Sequence, residues 1–127
     1  MEKTVPKKTI LIADDNEDIL KLLGFLLLES FDDVDVVSFE NTEDALEYVM
    51  SNGHKLSLVI TDHDIPPYNG INFIKKAKPK LSCPVILHTG RTIILGSELE
   101  KLFTFYIHKG NTEELLEKIT LLLSPTE

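Results

Sequence analysis

Short apolar segments alternate with amphipathic segments five times along this chain, and this alternation constrains its fold more than any other feature. The apolar segments predict strands over residues 8–14, 33–39, 56–61, 84–89 and 103–109. The segments with apolar residues at helical spacing predict helices over residues 17–30, 41–53, 70–80, 93–102 and 112–123. Because the connections are short, the strands should lie parallel, with helices on both faces. The sequence therefore predicts a doubly wound α/β domain with a five-stranded parallel sheet.

Length, charge and cysteine content exclude several classes of protein. The 127 residues suit one domain, residues 1–127, with a core over about 7–123. The longest apolar runs are too short to cross a bilayer, so no membrane span is expected. The net charge of −8 argues against a nucleic-acid partner, which would need clustered lysine and arginine. The single cysteine, Cys83, excludes an internal disulfide and fits the reducing cytoplasm.

The first predicted helix is more apolar than a surface helix needs to be. Its predicted core stripe consists of residues spaced three and four apart: Ile19, Leu22, Leu23, Leu26 and Leu27. Leu20, Phe25 and Leu28 are apolar beyond that stripe. These three either mark a docking surface or pack in part against the last helix.

Charged and hydroxylated side chains follow the ends of four predicted strands. Asp14 and Asp15 follow the first strand and Asp62 the third, while Thr89 and Lys109 end the fourth and fifth. The functional crevice of a doubly wound fold lies at the carboxyl ends of its strands, so these side chains should converge. Each acid taken alone is better explained by a helix cap or a turn. Together the five residues favour a site.

The chemistry of that site follows from its charges. Three adjacent carboxylates repel one another unless a cation neutralises them, and Mg²⁺ accepts carboxylate, water and phosphate oxygens. Beside such an ion, Asp62 is placed to attack a phosphoryl group and form an aspartyl phosphate. Lys109 and the Thr89 hydroxyl would then offset charge on the phosphoryl oxygens.

These residues closely resemble the receiver domain of bacterial two-component response regulators. The resemblance covers residues from about 7 to 123 and rests on four motifs in order. They are the acidic pair in LIADDN, Asp62 in the pattern D-x-x-I-P-x-x-N-G, Thr89-Gly90 after an apolar strand, and Lys109. The resemblance implies a flavodoxin-like sheet of strand order 2-1-3-4-5 with five helices.

The resemblance also implies a function and the ligands of a metal. A histidine kinase or phosphotransfer protein would phosphorylate Asp62 in a Mg²⁺-dependent reaction. Asp15 would bind Mg²⁺ directly, Asp14 largely through water, and Asp64 through its backbone carbonyl. The chain would be an enzyme only in assisting its own phosphorylation and dephosphorylation.

A conformational switch is implied in the same way. Thr89 would move toward the phosphoryl group and Tyr106 would turn inward. The signal would then appear on the surface of the fourth helix, fifth strand and fifth helix. The protein would act through protein contacts, as a monomer or a phosphorylation-dependent dimer. Tyr106 is equally explained as a half-buried strand residue.

Several residues depart from the family pattern or add to it. Gly110 follows Lys109 where the family has a proline after a cis peptide bond. A cis bond before glycine is costlier, so the backbone there should differ.

Asp64 and Arg91, at positions that modulate phosphate lifetime, carry opposite charges and should pair across the mouth of the site. His88 interrupts the apolar fourth strand and is expected to be hydrogen-bonded in the core.

Two other functions are compatible with parts of the sequence. A pseudo-receiver would keep the fold as a binding module without phosphorylation, an interpretation that Gly110 and the atypical fourth helix support. A phosphohydrolase of the haloacid dehalogenase type would use the D-x-D pair Asp62 and Asp64. Those enzymes place their acidic pair after the lysine and need more chain, so that class is disfavoured.

Overall fold

The computed structural model describes residues 7–92, 96 and 100–123 as a three-layered α/β domain. The strands are β1 Lys8–Ala13, β2 Val34–Phe39, β3 Leu56–Thr61, β4 Val85–Thr89 and β5 Phe105–His108. The helices are α1 Glu17–Ser30, α2 Thr42–Asn52, α3 Gly70–Ala77 and α4 Thr112–Leu123. Short 3-10 turns, Gly53–Lys55 and Lys78–Lys80, follow α2 and α3. No described helix has the length and apolar character that a membrane span requires.

The five strands form one parallel sheet in the order β2-β1-β3-β4-β5, which confirms the predicted fold class and strand order. The register aligns the carboxyl ends of neighbouring strands. Ala13 lies beside Phe39 on one side and Thr61 on the other. Thr89 lies beside His108. The residues that follow these strand ends are therefore brought to one edge of the sheet.

The helix count differs from the prediction. The described residues contain four α-helices rather than five, because most of the segment predicted as the fourth helix, 93–102, lies outside them. The other four helices are found where their apolar spacing predicts them. All four begin directly after an asparagine whose side chain accepts a backbone N–H from the first turn: Asn16, Asn41, Asn69 and Asn111. Asparagine stabilises this position by satisfying otherwise unpaired donors.

Hydrophobic residues pack on both faces of the sheet, because successive residues of a strand point to opposite sides. On one face Ile10 and Ile12 of β1 pack with residues of α1 and α4. On the other face Leu11 and Ala13 pack with residues of α2 and α3, among them Phe73. β1 is thus covered on both sides, as a central parallel strand requires.

The orientation of α1 corrects the predicted core stripe. Leu20, Leu23 and Leu27 are the buried residues of this helix, whereas Leu22 is 50% exposed. Residues advance about 100° each around a helix, so a stripe centred on Leu20, Leu23 and Leu27 turns Leu22 to the opposite side. Phe25 is exposed as well. Leucines recur so densely in this helix that the spacing permits more than one stripe.

His88 lies in the interior of β4, where all five residues are buried. It is 4% exposed, and its Nε2 atom has no hydrogen-bond partner among the described residues. The expectation of a hydrogen-bonded histidine was therefore wrong for that atom. Burial, together with the nearby positive charge of Lys109, lowers the pKa of His88 to about 4.

The buried imidazole makes stability depend on pH. Between about pH 6.5, the usual histidine value, and pH 4, His88 binds a proton in the unfolded chain but not in the folded one. The free energy of unfolding should therefore decrease on acidification through this range, by about 2–3 kcal/mol from His88 alone. Urea unfolding of the wild type and of His88→Leu from pH 7.5 to 4.5 measures this contribution. The wild type should lose about 2–3 kcal/mol more than His88→Leu on acidification, and parallel curves would contradict the assignment.

Candidate functional site

Three carboxylates meet at the carboxyl end of the sheet. One oxygen from each of Asp14, Asp15 and Asp62 lies within 4.8 Å of the other two. Asp14 and Asp62 are buried, and Asp15 is exposed at the mouth. The sheet places them, because the Asp62 N–H donates to the Ala13 carbonyl at 2.9 Å and the Asp14 N–H to the Phe39 carbonyl at 3.1 Å. The hydrogen-bond ladder thus extends one residue beyond β1 and β3.

Lys109 lies between the two buried carboxylates. Its Nζ is 2.8 Å from Asp14 Oδ2 and 2.9 Å from Asp62 Oδ2. The Lys109 N–H donates to the Thr89 carbonyl at 3.0 Å, which ties the residue after β5 to the end of β4. The structure therefore brings together the side chains of Asp14, Asp15, Asp62 and Lys109. Thr89 joins them through its backbone carbonyl, and its hydroxyl accepts the Arg91 N–H.

The electrostatics of the pocket are dominated by burial and by this ion pair. Burial raises the pKa of Asp14, although its hydrogen bonds from Lys109 and from the Asn16 N–H favour the charged form. Burial alone would lower the pKa of Lys109, but hydrogen bonds to Asp14 and Asp62 outweigh it and raise that pKa above its ordinary value. Lys109 therefore remains charged at neutral pH.

The pocket retains a formal excess of two negative charges, from three carboxylates and one ammonium group. A divalent cation would neutralise that excess. Carboxylate oxygens are the hard ligands that Mg²⁺ and Ca²⁺ prefer, and a partly open mouth leaves room for water ligands. The donor set thus fits a hard divalent ion. The alternative that Asp14 merely caps α1 does not hold, because the cap of that helix is Asn16.

The loop after β3 fixes the Asp62 carboxylate from its other side. The His63 N–H donates to Asp62 Oδ1 at 2.7 Å. The His63 carbonyl accepts from the N–H groups of Ile65 and Gly70, at 3.1 and 2.9 Å. The loop returns so closely that a Cβ on Gly70 would lie 2.3 Å from the Asp62 carbonyl oxygen. Glycine is required there by space, and the loop is held against the backbone of Asp62.

Thr42 anchors this loop and was not identified from sequence. It is fully buried at the start of α2. Its N–H donates to the Pro66 carbonyl at 2.8 Å, and its hydroxyl donates to the Tyr68 carbonyl at 2.7 Å. The hydroxyl also accepts from the Tyr68 N–H at 2.8 Å. A threonine at a helix start is so common that the sequence gives no sign of this role.

Asp64 and Arg91 lie together at the mouth of the pocket. Arg91 Nε is 3.1 Å from Asp64 Oδ2, and a terminal guanidinium nitrogen is 2.9 Å from Asp64 Oδ1. The Arg91 N–H donates to Thr89 Oγ1 at 3.3 Å. The hydroxyl of half-buried Tyr106 donates to the Arg91 carbonyl. The Asp64 side chain therefore points to Arg91, and the carboxylates of Asp14, Asp15 and Asp62 form the cluster without it.

The peptide bond between Lys109 and Gly110 is trans, since the cis bond among the described residues joins Pro66 and Pro67. The Gly110 N–H donates to His108 Nδ1 at 3.1 Å. A proline has no N–H and could not make this bond. The backbone thus differs from the family pattern as expected, yet the Lys109 amine still reaches both carboxylates.

Comparison with known proteins identifies the family. The family model described as "Response regulator receiver domain" matches residues 10–120. Response regulator GtcR of Aneurinibacillus migulanus is 36% identical over 81 residues, which are 63% of this chain and 31% of that protein. The putative two-component response regulator ARR20 of Arabidopsis thaliana is 27% identical over 88 residues, 60% of this chain and 21% of that protein. The chain thus spans less than a third of either relative.

Solved structures agree with this result. The response regulator TrrA of Thermotoga maritima, crystallised in complex with Mg²⁺ and BeF, superposes with a TM-score of 0.80 at 30% identity. The superposition covers 91% of this chain and 99% of TrrA. Fold, pocket composition and sequence similarity therefore lead to one conclusion. This chain belongs to the response regulator receiver domain family.

Proposed function

We propose that this chain, as a single receiver domain over residues 1–127, accepts a phosphoryl group on Asp62 from a histidine kinase or phosphotransfer protein. The reaction depends on Mg²⁺, and the phosphorylated protein signals through protein contacts in the cytoplasm. One observation carries the proposal: the Asp62 carboxylate lies beside two further carboxylates and 2.9 Å from a lysine amine. Receiver domains as a class are signalling modules rather than classical enzymes.

The transfer step is an in-line displacement at phosphorus. An Asp62 carboxylate oxygen attacks the phosphorus of a phosphohistidine, the new O–P bond forms, and the P–N bond breaks with its electron pair going to the imidazole. The His63 N–H at 2.7 Å holds the carboxylate in one orientation. Holding the nucleophile oriented in this way removes much of the entropic cost of the encounter.

Charge compensation accounts for the other residues of the pocket. Lys109, which contacts Asp62 Oδ2, transfers its contact to a phosphoryl oxygen once Asp62 is esterified. The Thr89 hydroxyl donates to another phosphoryl oxygen. When bound, Mg²⁺ would supply charge neutralisation. Asp15, Asp62 and the Asp64 carbonyl would hold it directly, and Asp14 largely through water. The Mg²⁺–BeF complex of TrrA supports this assignment by similarity.

The output of the switch involves Thr89 and Tyr106. Movement of Thr89 toward the phosphoryl group changes the position of Tyr106 and hence the surface around β5 and α4. A partner binding there, or a second copy of the chain, would read the phosphorylated state. The protein is accordingly a monomer or a dimer that forms on phosphorylation.

The competing functions make different predictions for the pocket. A pseudo-receiver does not need Lys109 between two buried carboxylates, and the trans peptide bond at Gly110 leaves that contact intact. A phosphohydrolase of the D-x-D type needs Asp64 to face the reacting group. The Asp64 carboxylate instead contacts Arg91 at two points, which disfavours this class.

Phosphorylation is tested with acetyl phosphate and Mg²⁺, followed by intact-mass measurement. The wild type should gain one phosphoryl group and Asp62→Asn should gain none, because the nucleophilic oxygen is replaced by an amide. Asp35→Asn, which changes an exposed aspartate of β2, is the control and should behave as wild type. No mass gain in the wild type would favour the pseudo-receiver. Turnover of a phosphate ester that Asp64→Asn abolishes would favour the phosphohydrolase.

The charge balance of the pocket is tested by removing its lysine. Lys109→Met leaves buried carboxylates without a hydrogen-bond partner and should destabilise the metal-free protein by about 1–3 kcal/mol. Mg²⁺ should then raise the thermal midpoint more in Lys109→Met than in the wild type, because the pocket is more negative and binding stabilises the folded state. Lys21→Met removes an exposed ion pair with Glu17 and is the control. An equal Mg²⁺ effect in all three proteins would contradict this electrostatic account.

The paired side chains at the mouth are proposed to control phosphate lifetime. The Asp64–Arg91 pair covers part of the approach to Asp62 and restricts the attacking water. Arg91→Ala removes the guanidinium and should shorten the half-life of the phosphorylated protein severalfold. Acid quenching at timed intervals after removal of the phosphodonor, read by intact mass, measures that half-life. An unchanged value would eliminate this role for the pair.

A further inference from the structure

Three large apolar side chains of α1 face away from the core. Leu22, Phe25 and Leu28 are 50%, 61% and 57% exposed. Spaced three residues apart, they form a diagonal row across the surface of the helix, with Phe25 in the middle. Residues advance about 100° each, so Phe25 lies on the side of α1 opposite its buried residues. This α1 row contains three of the five large hydrophobic side chains that are exposed among the described residues.

One basic and one acidic side chain lie on opposite sides of the α1 row. Lys21 and Glu29 are exposed and stand four residues before and after Phe25, which places them about 40° to either side of it around the helix. Lys21 pairs with Glu17 at 2.9 Å, but both side chains of that pair are more than half exposed, so the pair contributes little. Glu29 makes no ion pair with another described residue and lies in the last turn, where the helix dipole disfavours an acid. A cation from another molecule would stabilise Glu29.

This pattern of side chains is complementary to itself. A two-fold axis that runs along the α1 row places each of its three side chains against the same side chain of a second copy, as an isologous interface requires. Lys21 and Glu29 stand on opposite sides of that axis, equally far in sequence from Phe25, so the axis brings Lys21 of one copy to Glu29 of the other. Two such ion pairs form, one on each side of the apolar contact. A row of residues three apart is inclined about 45° to the helix axis, so the two helices cross at close to a right angle.

We propose that two copies of this chain associate through the α1 row, with Lys21 of each copy paired with Glu29 of the other. The contact goes beyond the proposed function, because it needs no phosphoryl group on Asp62 and uses α1 rather than the surface around β5 and α4. Three apolar side chains from each copy make a small contact, at the weak and transient end of the range of protein interfaces. The chain is therefore a monomer in dilute solution and a dimer at high concentration.

Charge favours a second copy over other occupants of this surface. A partner with a surface of one sign would match only Lys21 or only Glu29, whereas a second copy matches both. An anionic membrane is disfavoured, because a helix that binds such a surface has lysine and arginine along its polar face. The charged residues of α1 are instead three acids and one lysine, and the whole chain has a net charge of −8.

Sedimentation equilibrium of the full chain, from about 10 μM to about 1 mM and without a phosphodonor, measures the dissociation constant of the dimer. The wild type and Asp62→Asn should dimerise equally. Phe25→Ser should weaken the dimer at least about tenfold, because an aromatic side chain at the centre of a contact contributes most to its affinity. Leu22→Ser should weaken it less. Met50→Ser changes an exposed apolar residue of α2, on the other face of the sheet, and should match the wild type.

An exchange of charges tests the two-fold pairing. Lys21→Glu and Glu29→Lys each place like charges opposite one another and should weaken the dimer severalfold. An equimolar mixture of these two variants should dimerise as the wild type does, because opposite charges face each other again in the mixed dimer. Lys75→Glu and Glu47→Lys change the net charge by the same amounts at exposed positions of α3 and α2. These two controls should dimerise like the wild type, both separately and when mixed.

Three results would overturn this inference. The first is a wild type that stays monomeric up to about 1 mM. The second is a dimer that both Phe25→Ser and Leu22→Ser leave unchanged, and the third is a mixture of Lys21→Glu and Glu29→Lys that dimerises no better than either variant alone. Phosphorylation of Asp62 is decided separately, by the gain of mass from acetyl phosphate. A chain that gains no mass and still dimerises through α1 would remove the proposed function and leave this inference standing.

Discussion

The ion pair between Lys109 and the buried carboxylates of Asp14 and Asp62 is the interaction on which the rest of the site depends. Two carboxylates at this separation in a largely dehydrated pocket would otherwise repel each other and take up protons. One lysine neutralises part of that charge, and the negative charge that remains suits a divalent cation. The residues of the pocket thus hold one another in place, although their formal charge is incompletely balanced. An incompletely balanced site is one that ligand binding can stabilise.

Backbone hydrogen bonds are the main interactions that hold these charged residues close together. Parallel register brings the ends of β1 and β3 side by side, and hydrogen bonds beyond the strand ends extend that register to Asp14 and Asp62. The loop after Asp62 is then held by Gly70, which allows close approach, and by buried Thr42 at the start of α2. Rigid support of this kind keeps a reactive carboxylate oriented without requiring the loop itself to be long or heavily packed.

The sequence was sufficient to predict the parallel sheet, because the alternation of strands and helices determines it. It was also sufficient to predict that the acidic residues and Lys109 meet, because they follow the ends of strands of that sheet. It was insufficient where the answer depends on tertiary contacts. The rotation of α1 depends on how the helix docks, and leucines at 20, 22, 23 and 27 permit more than one choice. The role of Thr42 depends on a loop 24 to 26 residues away in sequence. His88 Nε2 has no hydrogen-bond partner among the described residues because of which groups surround β4.

The turn after Lys109 shows how a family constraint can be replaced. A pyrrolidine ring restricts its backbone covalently and permanently, whereas the Gly110 N–H is held only by the imidazole of exposed His108. Water competes for such a bond, and exposed side chains change rotamer within nanoseconds. The segment that delivers the ammonium group to the pocket therefore has a reversible restraint. Its local freedom is set in part by the His108 side chain, which is not a member of the acidic cluster.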